Sequence, residues 1–257
     1  MLEKIFFSFL FFACSSGSLF HADFVSDNLK QSFNSPPWFE GVERTERVFD
    51  KEKKKTVLRV HYPKGEFGNV KGGAQWIAYL GQSFNDLKLS YWLRFSENFD
   101  CRRGGKLPGL IGGHLQDRIN STVTGGHRPS GDDGWSARIM WRADCHLVQY
   151  IYHKNQPSNY GQDFSWKKNG VKVKIILGQW HQVTTRIVMN QVGLKNGIVQ
   201  SWLDGDLVLE QRDLEFRTIS TLGIDALYFS TFFGGDDQSW APVRDSFADF
   251  DDFTIVH

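Results

Sequence analysis

The sequence is poor in cysteine and methionine, with three residues of each among 257. It has no CxxC or HxxxH spacing, so nothing in it predicts a structural metal site. We therefore expect neither a metal nor any other cofactor. Cys14 lies in an N-terminal apolar stretch, which leaves Cys101 and Cys145 as an even pair. In an oxidising compartment these two can form a disulfide, and the sequence leaves that pairing open.

The sequence also lacks an excess of charge of one sign. Lys and Arg number 30 and Asp and Glu 29, and the closest approach to a run of like charge is Lys51–Lys55, which includes Glu52. This composition argues against a nucleic-acid-binding protein, which needs a strongly basic face. It still allows a local basic groove, and the partner that we expect for such a groove is an acidic polysaccharide.

No apolar run is long enough to anchor the chain in a membrane. The run Ile5–Ala13 is followed by small residues, a pattern typical of a secretory signal peptide. We predict a signal peptide over residues 1–22 and one mature domain over 23–257, with cleavage after Ser15 or Ser18 as alternatives. The mature protein is then expected to be secreted, extracellular, free of the membrane and monomeric.

Long amphipathic helices and internal repeats are absent, whereas aromatic residues and glycine are abundant: Phe 22, Trp 9, Tyr 7 and Gly 25. Apolar and polar residues alternate with a period of two, which is typical of half-buried antiparallel strands. The alternating segments are Leu58–Tyr62, Leu87–Phe95, Trp135–Arg142, Leu147–His153, Trp180–Asn190, Gly197–Leu209 and Phe247–Val256. The pattern predicts an all-β fold, a β-jelly-roll sandwich of two antiparallel sheets with a substrate cleft on the concave sheet. Residues 23–55 are predicted to be an irregular lead-in segment.

Paired glycines punctuate this pattern, among them Gly104-Gly105 and Gly112-Gly113. No helix is predicted after any of them, which excludes a phosphate-binding loop. We expect these pairs to lie in loops, where glycine permits sharp turns or a close approach of the backbone to a ligand.

Two neighbouring segments carry the candidate chemistry. Ser136 and Arg138 share one strand face, as do Tyr150 and Tyr152, and the two segments are close enough to form a hairpin around Ala143–Cys145. A cation beside two phenols suits β-elimination from a uronate, which needs charge stabilisation at the carboxylate, a base for H5 and an acid for O4. The residues alone also allow an alternative, in which the tyrosines are surface residues and Arg138 pairs with a carboxylate.

Three motifs resemble the family 14 polysaccharide lyases, which act on alginate or glucuronate glycans. They are GGKLPGL (104–110), GWSARIMWR (134–142) and YIY (150–152), and the likeness runs from about Lys71 to Phe253. The resemblance implies a jelly roll with a deep cleft and a metal-independent lyase that cleaves a 1,4-linkage and leaves a 4,5-unsaturated uronate. The catalytic residues that it implies are Lys106, Arg138, Tyr150 and Tyr152, with either a tyrosine or Lys106 as the base. Substrate contacts are expected from Ser136 and, by weaker argument, from Gln75, His153, Gln156 and Tyr160.

The segment between Lys106 and Arg138 is long for this pattern, and its residues His114, Asp117, His127 and Arg128 are predicted to form a lid or a subsite wall. Two other functions stay open. A sandwich glycoside hydrolase needs paired carboxylates, and no ExDxxE string is present. The acidic residues of the last strand, Asp249, Asp251 and Asp252, are interpreted as turn or surface residues. A non-catalytic, lectin-like sandwich would keep the aromatic residues but has no need of the lysine, arginine and tyrosine set.

Overall fold

A computed structural model describes residues 17–25, 28–113 and 124–257. In chain order its strands are β1 (Phe20–Ala22), β2 (Phe39–Glu40), β3 (Thr45–Asp50), β4 (Lys55–Tyr62), β5 (Gly73–Phe84), β6 (Asp86–Phe95), β7 (Gly104–Gly113), β8 (Gly134–Arg142), β9 (Leu147–Tyr152), β10 (Gln162–Ser165), β11 (Lys167–Lys168), β12 (Val171–Lys172), β13 (His181–Val188), β14 (Gly197–Leu203), β15 (Asp206–Leu214), β16 (Ile224–Phe233) and β17 (Ser246–Val256). The helices are single turns, α1 (Leu29–Ser32) and α2 (Gly68–Lys71), with 3₁₀ turns at Val42–Arg44, Ala143–Cys145 and Gln238–Trp240. The all-β prediction is confirmed.

The strands form two antiparallel sheets. The outer sheet has the order β15-β14-β13-β6-β17-β4-β3, with β1 added to β17. The cleft sheet, so named because a cleft opens on it, has the order β10-β9-β8-β7-β16-β5-β2. Strands β11 and β12 form a separate two-stranded hairpin. Neighbours in each sheet are often distant in sequence, because the chain crosses between the sheets, and the predicted jelly-roll sandwich is confirmed.

The core between the sheets is largely aromatic. The rings of Trp76 and Phe229, both fully buried, stack at a centroid separation of 3.9 Å. In β13 burial alternates residue by residue, so that Val183 and Ile187 face this core. Most of the abundant aromatic side chains therefore pack in the core, where large rings contribute most to hydrophobic burial.

Asp204-Gly205 forms the tight hairpin turn between β14 and β15. Both residues have positive φ, 53° and 85°. A two-residue turn of this kind matches the twist of antiparallel strands, and Asp-Gly adopts it at little steric cost.

The glycine pairs that we expected in loops instead belong to strand β7. A Cβ atom on Gly105 would lie 2.1 Å from the Trp141 ring. Trp141 is fully buried and occupies the space that a side chain at position 105 would need. The glycine therefore permits a bulky ring on the neighbouring strand rather than a turn.

The lead-in segment, predicted to be irregular over 23–55, contains α1, β2 and β3. Periodicity missed these elements because two of them are only two and four residues long. The boundary predicted after Ala22 falls at the end of β1, whose residues Phe20 and Ala22 are buried. Most of the predicted signal peptide, residues 1–16, lies outside the described residues. In the described part of the chain, no helix is long and apolar enough to cross a membrane.

The acidic residues of β17 are not surface residues. Asp249 and Asp251 are fully buried on the outer sheet. Asp249 accepts hydrogen bonds from Arg59 and Arg94, each at 2.7 Å, and Asp251 pairs with Lys55 at 2.9 Å. The interpretation of these two aspartates as turn or surface residues was wrong, because cations that are distant in sequence compensate their burial.

Candidate active site

A cleft of about 970 Å³ opens on the cleft sheet. Lys106 on β7, Arg138 on β8 and both Tyr150 and Tyr152 on β9 line it. The predicted hairpin joins β8 to β9 through the turn Ala143–Cys145, and its register places Arg138 directly opposite Tyr150. The structure therefore brings the four residues that we predicted to be catalytic onto one surface.

Lys106 lies against the tyrosine pair. Its Nζ donates to Met140 Sδ at 2.9 Å and lies 3.7 Å from the centroid of the Tyr150 ring. Burial of the amine, with the positive charges of Arg138 and Arg142 nearby, lowers the pKa of Lys106 well below its usual value. A neutral amine at this position can accept a proton from a ligand in the cleft.

Arg138 is a buried cation, with only 2% of its surface exposed. Its Nη1 donates to Ser230 Oγ at 3.2 Å, and its guanidinium carbon lies 5.0 Å from the centroid of the Tyr228 ring. Its Nε has no hydrogen-bond partner, and no carboxylate of the described residues lies within ion-pair distance of it. Such a charge is costly to bury unless an anion pairs with it, so the geometry suits an acidic ligand.

The two tyrosines form a hydrogen-bonded pair. Their Oη atoms are 3.4 Å apart and their rings meet edge to face. The backbone N–H of Gly161 donates to Tyr150 Oη at 3.1 Å, and that of Gly126 donates to Tyr152 Oη at 3.3 Å. Burial and the neighbouring Tyr152 raise the pKa of Tyr150. The Tyr150 phenol is therefore protonated at neutral pH, so it is the neutral phenol and not a phenolate that faces the cleft.

Gly161 can approach the tyrosine pair only because it lacks a side chain. A Cβ atom there would lie 2.9 Å from the rings of both Tyr150 and Tyr152. The loop that carries the Gly161 N–H thus depends on glycine to reach the Tyr150 oxygen.

Two of the weaker expectations also line the cleft. Gln75 accepts a hydrogen bond from Tyr228 Oη at 2.6 Å and donates to Glu40 Oε2 at 2.5 Å, which fixes the orientation of its amide. Tyr160 lies at the cleft rim with 58% of its surface exposed.

Three expected substrate contacts lie outside the cleft lining. Ser136 is fully buried within the cleft sheet, opposite Tyr152. His153 is bound to Gln162 at 2.9 Å, and burial lowers its pKa. Gln156 is buried and hydrogen-bonds the backbone of His153, Ser158 and Tyr160. His153 and Gln156 thus hold the loop after β9 rather than present groups to a ligand.

The structure adds cleft residues that the sequence did not indicate. Arg142 and Asp163 form a two-fold hydrogen-bonded ion pair, at 2.9 and 2.6 Å, beside Tyr150. Glu40 reaches the cleft from β2, whose two residues give no periodic signal. Asp163 reaches the cleft because β10 pairs with β9 and places it directly opposite Tyr150. No pattern in the sequence reveals this pairing.

Cys101 and Cys145 are joined by a disulfide, with their Cα atoms 5.4 Å apart. The bond links the segment before β7 to the turn between β8 and β9. It therefore ties together the strands that carry Lys106, Arg138 and Tyr150. Of the predicted lid, residues 114–123 lie outside the described residues, and His127 is bound to Asp133 at 2.8 Å. Across the described ranges, no three His, Cys, Asp or Glu side chains could jointly hold a metal ion.

A β-sandwich cleft that holds a buried arginine with no acidic partner among the described residues, and a lysine of lowered pKa beside two phenols, defines a protein with acid–base groups suited to an anionic ligand. The chain belongs to the polysaccharide lyase 14 family, whose model matches residues 50–253.

Solved structures of named lyases share the fold of this chain. The marine alginate lyase from Aplysia kurodai superposes with a TM-score of 0.80 at 25% identity, covering 93% of this chain and 99% of that one. An alginate lyase from a Chlorella virus gives 0.72 at 20%, covering 90% and 97%, and shares the fold. The endo-β-1,4-glucuronan lyase from the fungus Trichoderma reesei gives 0.57 at 15%, covering 93% and 95%. No curated protein sequence matches the chain.

Proposed function

We propose that this protein cleaves the 1,4-linkage of a uronate polysaccharide, alginate or glucuronan, by β-elimination. The observation that carries the proposal is the buried Arg138 guanidinium, which lacks an acidic partner among the described residues and lies with Lys106 and the tyrosine pair in one cleft. Family membership and the named activities of the similar structures support it.

The geometry supports a role for each group. Arg138 pairs with the C6 carboxylate and stabilises the enolate-like charge that develops there. The neutral Lys106 amine takes H5, the electron pair left at C5 forms the C4=C5 double bond, and the C4–O4 bond breaks. The departing O4 takes a proton from a phenol of the Tyr150–Tyr152 pair, and the phenolate regains a proton from the Lys106 ammonium. The lowered pKa of Lys106 favours the amine as the base, and the raised pKa of Tyr150 means that its phenol holds its proton until the departing O4 takes it.

The product distinguishes the three candidate activities. A lyase leaves a conjugated 4,5-unsaturated uronate that absorbs ultraviolet light, whereas a hydrolase releases reducing ends without that chromophore and a lectin releases neither. We expect a rise in absorbance with alginate blocks or glucuronan and none with uncharged β-1,4-glucan. Reducing ends that accumulate without the chromophore would point to the hydrolase instead. Of the three carboxylates that line the cleft, Asp163 and Glu40 are bound to Arg142 and Gln75, which leaves Asp236 where a hydrolase needs a pair.

Removing either phenolic hydroxyl should slow turnover. We expect Tyr150→Phe and Tyr152→Phe each to lower kcat about 100-fold, the usual scale for the loss of acid–base assistance. Initial rates at saturating polysaccharide measure the effect, and Tyr79→Phe, outside the cleft lining, is the matched control. Near-wild-type kcat in both cleft variants would remove the tyrosines from the reaction.

We also propose that the chain is exported and that its signal peptide ends before Leu19. The backbone N–H of Leu19 donates to Ile255 O at 2.9 Å, and β1 pairs with β17 from Phe20 onward. Cleavage after Ser15 or Ser18 keeps this strand, whereas cleavage after Ala22 removes it. Sequencing the N-terminus of secreted protein should therefore give Ser16 or Leu19 first, and a mature chain that starts at Asp23 would contradict the proposal.

A further inference from the structure

An exposed, lysine-rich hairpin follows strand β10. Its sequence, KKNGVKVK over 167–174, carries Lys167, Lys168, Lys172 and Lys174, all of them exposed. The turn is Asn169-Gly170, with φ of 53° and 80°, and the hairpin pairs Lys167 with Lys172 and Lys168 with Val171. Four cations in eight residues stand out in a chain whose net charge is only +1.

The charges of this hairpin are not balanced within the described chain. Lys167 and Lys172 lie directly opposite each other, an arrangement of like charges that destabilises a strand pair. Lys168 forms an ion pair with Asp206, at the start of β15. No ion pair to a described residue involves Lys167, Lys172 or Lys174. Three lysines are therefore available to an external anion.

The three unpaired lysines lie on the same side of the chain as the cleft. Asp163 of β10 lines the cleft, whereas Phe164 packs against the core and Trp166 is fully buried in it. Alternation along an extended chain then places Lys167 on the cleft side.

Backbone hydrogen bonds connect this separate hairpin to the edge of the cleft sheet. The N–H of Trp166 donates to Leu147 O at 3.1 Å, and the N–H of Val173 donates to Trp166 O at 2.9 Å. Val173 packs against the core, so Lys172 and Lys174, on either side of it, point outward as Lys167 does. Lys168 has the opposite orientation, toward β15.

We infer that Lys167, Lys172 and Lys174, the outer lysine strip, bind carboxylates of a polysaccharide chain that extends out of the cleft past Asp163. The inference rests on the proposed function and adds a remote subsite to it. A polyuronate carries a carboxylate on every sugar, which complements a row of cations without acidic partners. Once the cleft holds one part of the chain, binding at the strip is effectively intramolecular, so only chains long enough to reach both sites gain affinity.

The test compares long and short substrates. In the triple variant Lys167→Gln, Lys172→Gln, Lys174→Gln, we expect KM for a long polyuronate to rise about fivefold, because exposed ion pairs are individually weak, while kcat stays unchanged. KM for a trisaccharide should not change. The wild-type advantage on the polymer should shrink as salt rises, since the screening length falls to about 10 Å at 0.1 M.

Lys168→Gln is the matched control, because it removes a charge from the same hairpin on the opposite side. It should leave KM for both substrates within about twofold of wild type, a change no larger than one exposed ion pair contributes. The triple variant should unfold at the wild-type temperature or above, since the Lys167–Lys172 repulsion is gone.

Affinity electrophoresis in gels that contain the polymer gives the same comparison without turnover. A protein that binds polymer but never produces the unsaturated product would refute the proposed function and leave the strip testable by mobility. The proposed role of the outer lysine strip would be wrong if the triple variant kept the wild-type KM and mobility with the polymer. It would also be wrong if KM rose equally for the polymer and the trisaccharide. A third contrary outcome is a triple variant that still binds the polymer but no longer binds phosphatidylglycerol vesicles. That result would indicate a membrane surface as the partner of the strip.

Discussion

Replacing Lys106 with methionine is expected to lower kcat/KM on the uronate polysaccharide by about 100-fold or more, the usual scale for losing a positioned base. Methionine retains most of the side-chain volume between Met140 and the Tyr150 ring, so the cleft should keep its shape. Formation of the unsaturated product measures the loss. Lys88→Met, an exposed position on the outer sheet, should keep wild-type activity.

The same residue predicts a pH dependence. If Lys106 is the base that we propose, its reactive form is the neutral amine, so kcat/KM should rise with pH as the amine loses its proton. Because burial and the nearby arginines lower the pKa of Lys106, this rise should lie well below the ordinary lysine value of 10.5. The acidic limb of the kcat/KM profile in the free enzyme reports this step.

Lys106→Arg separates a base from a fixed charge. Arginine keeps the positive charge but does not deprotonate in proteins, so it should be as inactive as Lys106→Met if the amine is the base. Substantial activity in Lys106→Arg, with the acidic limb in place, would assign Lys106 to charge neutralisation and return the base role to a tyrosine.

The hairpin that holds Arg138 and Tyr150 could be predicted from the sequence because its signals are local. Alternation assigned Arg138 to one face of its strand and the two tyrosines to one face of theirs, and only a short turn separates the two strands. The exact register was not predictable from alternation. The structure supplied it, placing Arg138 opposite Tyr150.

The rest of the site depends on contacts between segments that are distant in sequence. Glu40 meets Gln75 because β2 adds to the edge of β5, a pairing of two residues with no periodicity. His153 and Gln156 were plausible ligand contacts by residue type, yet their side chains are used in holding a loop. Residue type near a motif thus identified candidates, whereas the loop conformation decided which of them reach the cleft.

Burial of charge has opposite consequences on the two sheets. On the outer sheet the buried Asp249 is matched by Arg59 and Arg94. On the cleft sheet the buried Arg138 has no acidic partner in the described chain. Unpaired charge costs stability, and proteins retain such groups where function requires them. The two arginines Arg59 and Arg138 therefore provide a matched pair for testing this difference.

Arg138→Met is expected to lower kcat/KM by about 100- to 1,000-fold, because it removes the cation that we propose as the stabiliser of the developing charge. The free energy of unfolding should stay the same or rise by about 1–2 kcal/mol, since an apolar side chain replaces a buried charge that has no acidic partner in the described chain. Arg59→Met should do the reverse. It leaves Asp249 with one partner fewer, and unfolding should become easier by about 1–3 kcal/mol while activity per folded molecule is retained. Urea unfolding and initial rates measured on both variants check the contrast. If Arg138→Met were destabilised as Arg59→Met is, and still cleaved its substrate at the wild-type rate, Arg138 would be a structural residue and the cleft would have no carboxylate-binding cation of this kind.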